Sequence, residues 1–480
     1  MRVLYITLAI LVWFLTGAVI SHLARKRLGG GFLEYFLASR GVGGFISAMT
    51  YSATTYSAFM MVGLVGMTYL TGIASLGFEL LYLIATVALL TIFGPRFWIA
   101  GKRYKYVTPS EMLGKRYGSK NVAVLATVLC LLMLIPYSSI QLKGIGYLLE
   151  VLSDGAITYL TGTLIAAVIS FIFIWWAGLR SVALTDALQA TIMLIASLVL
   201  LSFVIVHFFG SPDGFVQEIE IQNPASLQVS WSFPMFLGLT LPWMFFAITN
   251  PQVSQRLFIP RDKGSLRKMV VGFSIFGFIY TIICAILGIA SSTIHPGLSV
   301  RDQAMPTLLT HVPEIIALVI LVGITAAAIS TINSIVLTLS SMFSRDIYGA
   351  HRREEEKELL VGKLIIPLIL VVCFIFAQFE WKSIVVLSTM SSGGLLMLLP
   401  TILGTFFWKR GTASGALASI GFGGLITGGL YIMDIKPFGQ WPPVWGILVA
   451  TALFVSISLI TEPPKEAEFV DKIREEMKKF

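Results

Sequence analysis

The chain has 480 residues, of which 56% are hydrophobic and 12% charged, with a formal net charge of +9 and a mean hydropathy of +0.86. Apolar runs of about 20 residues recur from end to end, which excludes a string of soluble domains and specifies an all-α polytopic membrane protein. The positive charge falls between the apolar runs and not on a basic face of a soluble fold, so it is no nucleic-acid footprint, and Cys130, Cys284 and Cys373 lie inside apolar runs with no zinc or disulfide spacing.

Breaking the chain at charged, Gly and Pro clusters predicts thirteen spans, at 3–23, 43–70, 73–94, 121–149, 155–176, 181–208, 231–256, 269–294, 313–344, 360–379, 383–407, 412–433 and 442–461. The first run, Val3 to Leu23, is too long for a signal-peptide core and has no A-x-A-like cleavage site, so it reads as a retained helix. Lys and Arg then alternate between loops. Lys102, Arg103 and Lys105, Arg180, the stretch Arg256 to Lys268, and Lys409 with Arg410 all fall on one side. By the positive-inside rule that side is cytoplasmic, which puts the N-terminus outside and the C-terminus inside a cell membrane.

Without the first span and the last two, two sets of five remain, 43–208 and 231–407. Five is odd, so the second set must be inverted relative to the first, an arrangement typical of secondary transporters. Residues 1–42 become an N-terminal accessory helix and inner loop, 209–230 an outer loop, 408–461 two accessory helices and 462–480 a cytoplasmic tail, expected to be a solvated helix.

Polar groups inside the spans follow in chain order. Span 43–70 contains "SAMTYSATTYSAFMMVGLVG", where Thr50, Ser52, Thr54, Thr55 and Ser57 precede Gly63 and Gly66. Such a helix unwinds readily and frees backbone carbonyls, although small residues also serve close helix packing. Glu79, in "SLGFELLYLI", is either a hydrogen-bonded structural group or a solute contact. Lys143 lies near the outer end of its span, within reach of the interface for snorkelling; attraction of an anionic solute is the other reading. Asp186, in "AGLRSVALTDALQ", either pairs with Arg180 or faces the bundle. Pro242 and Pro251 interrupt span 231–256, the counterpart of span 43–70 in the second half. Finally "AAAISTINS" sets Ser330, Asn333 and Ser334 on one helical face with Thr331 beside it. With Asp186 these oxygens suit a hard cation such as sodium, and no His or Cys cluster suits a transition metal. No G-x-x-x-x-G-K loop provides nucleotide-driven transport.

Several stretches together resemble the sodium:solute symporter family, with its LeuT-type core of five plus five inverted helices. They are "SATTYSAFMMVGLVG", "GPRFWIAGKRYKYVTPSEMLGKRYGS", "GLRSVALTDALQ", "AAAISTINSIVLTLSSMFSRDIY" and "LPTILGTFFWKRGTASGA", spread from about 40 to 420. The resemblance implies a sodium ion held by the carbonyls of Ala53, Tyr56 and Ala327 and the hydroxyls of Ser330 and Thr331. A possible second sodium site maps to Asp186, Ser330, Asn333 and Ser334, with Asn333 where such members carry a further Ser. Solute contacts map to Thr54, Thr55, Ser57, Met60, Glu79, Trp243 and Phe246. Thr55 departs from the Asp of proline transporters, and Thr55, Met60, Trp243 and Phe246 replace polar sugar contacts, while a Glu at 79 is shared with sugar transporters. The implied activity is no enzymatic one: it is sodium-coupled import, by alternating access, of a small organic solute such as an amino acid like proline, an organic acid or a pantothenate-like compound. The expected partners are therefore sodium, that solute and the lipid bilayer. A proton-coupled transporter of the same fold, and a channel or membrane sensor, are the alternatives.

Overall fold

The computed structural model describes residues 3–25, 30–350, 354–379, 383–462 and 468–480. Ten of its helices are long and apolar enough to cross a bilayer: α1 (Val3–Arg25), α4 (Ile73–Tyr104), α6 (Lys120–Leu152), α8 (Gly178–Phe209), α10 (Lys263–Ile294), α11 (Glu314–Met342), α12 (Glu355–Ala377), α13 (Ile384–Phe407), α14 (Ala413–Ile432) and α15 (Pro442–Ile460). An eleventh span is a bent pair, α2 (Gly44–Thr55) and α3 (Phe59–Thr71), with 48° between the halves. The two other expected spans are shorter. Span 155–176 is α7 (Tyr159–Trp175), and span 231–256 begins as α9 (Phe233–Met244) and continues through the pieces Phe246–Thr249, Pro251–Ser254 and Gln255–Phe258. Among the described residues ten or eleven helices are thus long and apolar enough to span, and the other two expected spans are helices too short to qualify by length.

Between α7 and α8 the chain turns at Gly178, whose φ of 56° favours glycine and where a Cβ would stand 2.8 Å from the Tyr35 carbonyl oxygen. Trp13 of α1 meets Phe173 before the turn, with ring centroids 5.8 Å apart, and shares a cavity wall with Leu188 after it. Residues on both sides of the turn therefore lie at one depth, and α7 and α8 run as a hairpin. Arg180 and Asp186 both follow the turn on α8, and six residues apart they do not share a helix face. The Arg180 guanidinium pairs with Glu34 at 2.5 Å and donates to the Ala38 carbonyl, so the Asp186–Arg180 pairing is replaced.

In the centre, α2 packs against α8, α10 and α11, and α11 runs along α8 and α6. Close approach of α2 and α10 fixes the first half of the bent pair: the Tyr56 ring stacks on Phe273 at 5.5 Å and on Phe276 at 5.8 Å. Room for that ring comes from Gly277, where a Cβ would meet the Tyr56 hydroxyl at 2.2 Å.

The tail is not a freely solvated helix. In α16 (Glu468–Lys478), Phe469, Val470 and Ile473 are buried, with Phe469 against Tyr104 at 5.1 Å. Its charged side pairs with Arg103 and Lys409 at the ends of α4 and α13.

Candidate ion and solute site

Helix α2 ends because Tyr56 leaves helical geometry, with φ −94° and ψ 93°. The freed donors beyond the break are satisfied locally. The Ala58 N–H donates to the Gln141 side chain of α6 at 3.1 Å, and the Phe59 N–H to the Ser57 hydroxyl at 3.1 Å. Gln141 escaped sequence reasoning, since one amide in an apolar run has no motif to announce it.

The Ala53 carbonyl, one turn before the break, accepts from Ser330 at 3.0 Å and from Thr331 at 3.1 Å. Ser330 also donates to the Ala327 carbonyl at 2.9 Å. Four oxygens, two of them carbonyl and two hydroxyl, thus meet at one fully buried spot between α2 and α11. Oxygen ligands without nitrogen or sulfur suit a small hard cation, and rotation of the two hydroxyls turns their lone pairs inward. Tyr56, expected to add a fifth oxygen, occupies the break itself.

One turn further along α11 a second polar group forms around Asp186. Thr50 donates to Asp186 Oδ2 at 2.6 Å, and Thr54 and Ser334 share a hydrogen bond of 3.0 Å. A guanidinium completes the group: Arg256 Nη2 donates to Ser334 at 2.5 Å and lies 4.0 Å from Asp186 Oδ2. Sequence reasoning had counted Arg256 with the loop cations, yet its side chain is only 1% exposed. Asp186 Oδ1 and Asn333 Oδ1 have no hydrogen-bond partner among the described residues. Of the residues expected at the two ion sites, Ser330 serves the first group and Ser334 the second. Thr54, expected among the solute contacts, turns to Ser334.

Of the remaining solute candidates, Trp243 and Phe246 pack directly on each other. The Trp243 indole stacks between Phe59 at 4.8 Å and Phe246 at 5.2 Å, meets Tyr82 edge-on at 5.5 Å, and donates to Thr389 at 3.3 Å. Pro242 leaves α9 helical as far as Met244, and the chain opens at Asn250, the residue before Pro251. One turn before Tyr82 on α4, Glu79 is fully buried, with both carboxylate oxygens lacking a partner among the described residues and within electrostatic reach of Tyr56, Tyr82 and Tyr137. Thr55, Ser57 and Met60 are likewise buried on the first interrupted segment. Gln252, fully buried with both side-chain polar atoms partnerless among the described residues, is a second amide the sequence did not signal beyond its place next to Pro251.

Lys143 does not snorkel. It is 2% exposed and within the field of Asp302, whose Oδ2 accepts from the Ile384 N–H at the start of α13.

The chain as a whole is similar to known proteins along most of its length. The chain is 30% identical over 453 residues to a sodium/pantothenate symporter of Escherichia coli, covering 90% of this chain and 91% of that protein. It is 25% identical over 458 residues to an osmoregulated proline transporter of Bacillus subtilis, covering 91% of each. A solved Na+-coupled sialic acid symporter in a substrate-bound outward-open state superposes with a TM-score of 0.82, over 96% of this chain and 99% of that one, at 18% identity. A nucleobase-cation-symport-1 family transporter superposes with a TM-score of 0.56. The fold is therefore the LeuT-type one. With residues 35–423 matching the profile of that family, the chain belongs to the sodium:solute symporter family.

Proposed function

We propose that the solute imported with sodium is a small pantothenate-like organic acid. Sodium-coupled import of a small organic solute is the activity of the family. The narrower assignment is supported by the full-length similarity to the Escherichia coli sodium/pantothenate symporter. It also agrees with the site. Trp243, Phe59 and Phe246 offer apolar walls, and Glu79 and Gln252 offer buried polar atoms, which suits a body with hydroxyl and amide groups.

Coupling is carried by one observation: Ala53 on α2 and Ser330 and Thr331 on α11 meet through oxygen alone. Sodium held there draws α2 to α11; its release lets them part. Because a ligand shifts an equilibrium only by its differential affinity for two states, sodium favours the conformation in which these oxygens converge. Ala327, Ser330 and Thr331 with Ala53 and Tyr56 form this ion site, and Thr55, Ser57, Met60, Glu79, Trp243 and Phe246 line the solute site. Residues 43–208 and 231–407 act as the two inverted repeats, a reading supported by the break that each carries in its first helix. The N-terminus lies outside and the C-terminus in the cytoplasm of a cell membrane. That orientation is supported by α16, which binds Arg103 and Lys409 on one side.

The test is uptake of radiolabelled pantothenate and proline by proteoliposomes with an inward sodium gradient. Sodium-dependent pantothenate accumulation is expected. Uptake of proline alone overturns the solute, and accumulation driven by a proton gradient without sodium overturns the coupling.

A further inference from the structure

We propose that the groove between α2, α8 and α10 binds one anionic phospholipid, with its headgroup on Arg267 and Lys268 and an acyl chain laid along the groove floor. The site is separate from the ion and solute groups and does not depend on what they carry.

Small residues shape the groove. Ala48 of α2, Ala190 of α8 and Gly272 of α10 line a space of about 830 Å³. The helices α2 and α10 approach so closely that a Cβ on Gly272 would stand 2.7 Å from the Ala48 Cβ, and one on Gly44 would stand 2.8 Å from the Lys268 Cβ. Phe45, Ile195, Val271 and Ile275 rise around that floor and are exposed. They belong to helices long and apolar enough to cross a bilayer, so an apolar surface left open there meets lipid and not water.

Charge selects the occupant. Arg267 and Lys268 stand at one end of the groove, in the second turn of α10, and Phe276 lies about 12 Å deeper along the helix. Both cations are exposed and enter no ion pair or hydrogen bond among the described residues, and no carboxylate among those residues lines the groove. The cations just before them are already engaged: Arg261 pairs with Asp262, and Lys263 donates to the Lys479 carbonyl. Two uncommitted cations at the end of an apolar groove match an amphiphile with a phosphate at its head, since long basic side chains reach headgroup level and attract anionic lipid. A zwitterionic lipid offers the chain without net charge, and a free phosphate offers the charge without a chain.

The groove also backs onto the first interrupted helix. Phe276 lines it and stacks on Tyr56, the residue at which α2 ends, with ring centroids 5.8 Å apart. A lipid seated there touches all three helices while it is bound. Because it binds the folded chain and not the unfolded one, it raises the unfolding midpoint in proportion to its occupancy.

The experiment is native mass spectrometry of the full chain from detergent micelles holding dioleoyl phosphatidylglycerol and dioleoyl phosphatidylcholine at equal, low mole fractions, with unfolding midpoints measured in each lipid separately. One phosphatidylglycerol is expected to be retained about tenfold over phosphatidylcholine, and to raise the midpoint where phosphatidylcholine does not. Arg267→Gln with Lys268→Gln is expected to retain the two lipids equally. Thr191→Trp fills the groove from an exposed position, leaves both cations in place, and is expected to lose the retained phosphatidylglycerol. Where Thr191→Trp does not fold, the charge variant decides, since both of its positions are exposed. Lys115→Gln with Lys120→Gln removes equal charge elsewhere and is expected to keep the preference. Glycerol 3-phosphate, the head without chains, is expected to leave the midpoint unchanged. Equal retention of the two lipids by the native chain, a preference that survives in the Arg267 and Lys268 variant or in Thr191→Trp, its loss in the Lys115 and Lys120 variant, or a midpoint raised by glycerol 3-phosphate alone overturns the proposal.

Discussion

Ser330 and Ala53 are 277 residues apart in the chain, and the hydroxyl of one donates to the carbonyl of the other at 3.0 Å between α11 and α2. On the reading proposed above sodium binds at this meeting point, and a ligand that binds only the folded state stabilises it by about 2.7 kcal/mol at a hundredfold excess over its Kd. The unfolding midpoint of detergent-purified protein is therefore expected to be higher in sodium than in potassium or choline at matched ionic strength. In Ser330→Ala and Thr331→Ala the sodium-minus-potassium difference is expected to vanish. Each variant also loses a native hydrogen bond worth about 1 kcal/mol in any salt. The decisive quantity is hence the difference between salts within one variant, and its survival in both variants would move the ion elsewhere.

Glu79 precedes Tyr82 by one turn of α4, Tyr82 meets Trp243 edge-on at 5.5 Å, and both Glu79 carboxylate oxygens lack a partner among the described residues. A buried carboxyl left so is a destabilising feature unless a ligand provides the donor. Glu79→Gln is expected to raise the KM for solute about tenfold or more, since hydrogen bonds to a charged group contribute about 1.5–3 kcal/mol. Its unfolding midpoint is expected to hold or rise. An unchanged KM together with a lower midpoint would make Glu79 structural.

The spans were legible because a bilayer demands about 20 apolar residues in a row, and a run such as Ile73–Tyr104 is hard to read otherwise. The oxygens of Ser330 and Thr331 were legible too, as polar groups in an apolar run require a partner. What could not be read was which partner. Pairing of Asp186 with Arg180, six residues away, was one of two open readings, and the packing of α8 beside the short helix Phe32–Leu37 gives Arg180 to Glu34 instead. Arg256 ended a span and passed for a loop cation, because only the packing of Gln255–Phe258 shows that the chain is still inside. Phe469, Val470 and Ile473 did carry a helical apolar stripe, but nothing local told what surface it would meet.

The pair between Glu34 and Arg180 connects the short helix Phe32–Leu37 to the α7–α8 turn. Burial pushes the Glu34 carboxyl up, but the Arg180 and Ser39 hydrogen bonds and the Arg180 charge outweigh it and hold the group below 4.5. Its stabilising effect is thus present above that value and is lost as pH falls through the lower folded-state value. Glu34→Gln is expected to cost about 1–2 kcal/mol at pH 7, less than a fully buried pair because Arg180 is partly exposed. Thermal unfolding followed from pH 7 to pH 3.5 is expected to bring variant and native chain together at the acid end. A constant gap across that range would assign the effect to packing.

Helix α16 is held by two kinds of contact that salt separates. Arg103–Glu476 at 2.5 Å and Lys409–Asp471 at 2.6 Å join side chains that are a third to a half exposed, so each contributes about 0–1 kcal/mol and is screened by salt. Phe469, Val470 and Ile473 are buried, and removing an apolar side chain of that kind costs about 2 kcal/mol or more. Docking of the tail therefore depends on the apolar face. Ile473→Ala is expected to speed amide hydrogen exchange across 468–480 by tenfold or more, since about 1.4 kcal/mol is tenfold in an opening equilibrium. The Arg103→Gln and Lys409→Gln variants, and the native chain in 0.5 M potassium chloride, are expected to change that exchange by severalfold at most. The opposite ranking, with high salt releasing the tail and Ile473→Ala leaving it in place, would make the ion pairs the fastening. In that case the buried stripe would be packing that the tail retains by itself.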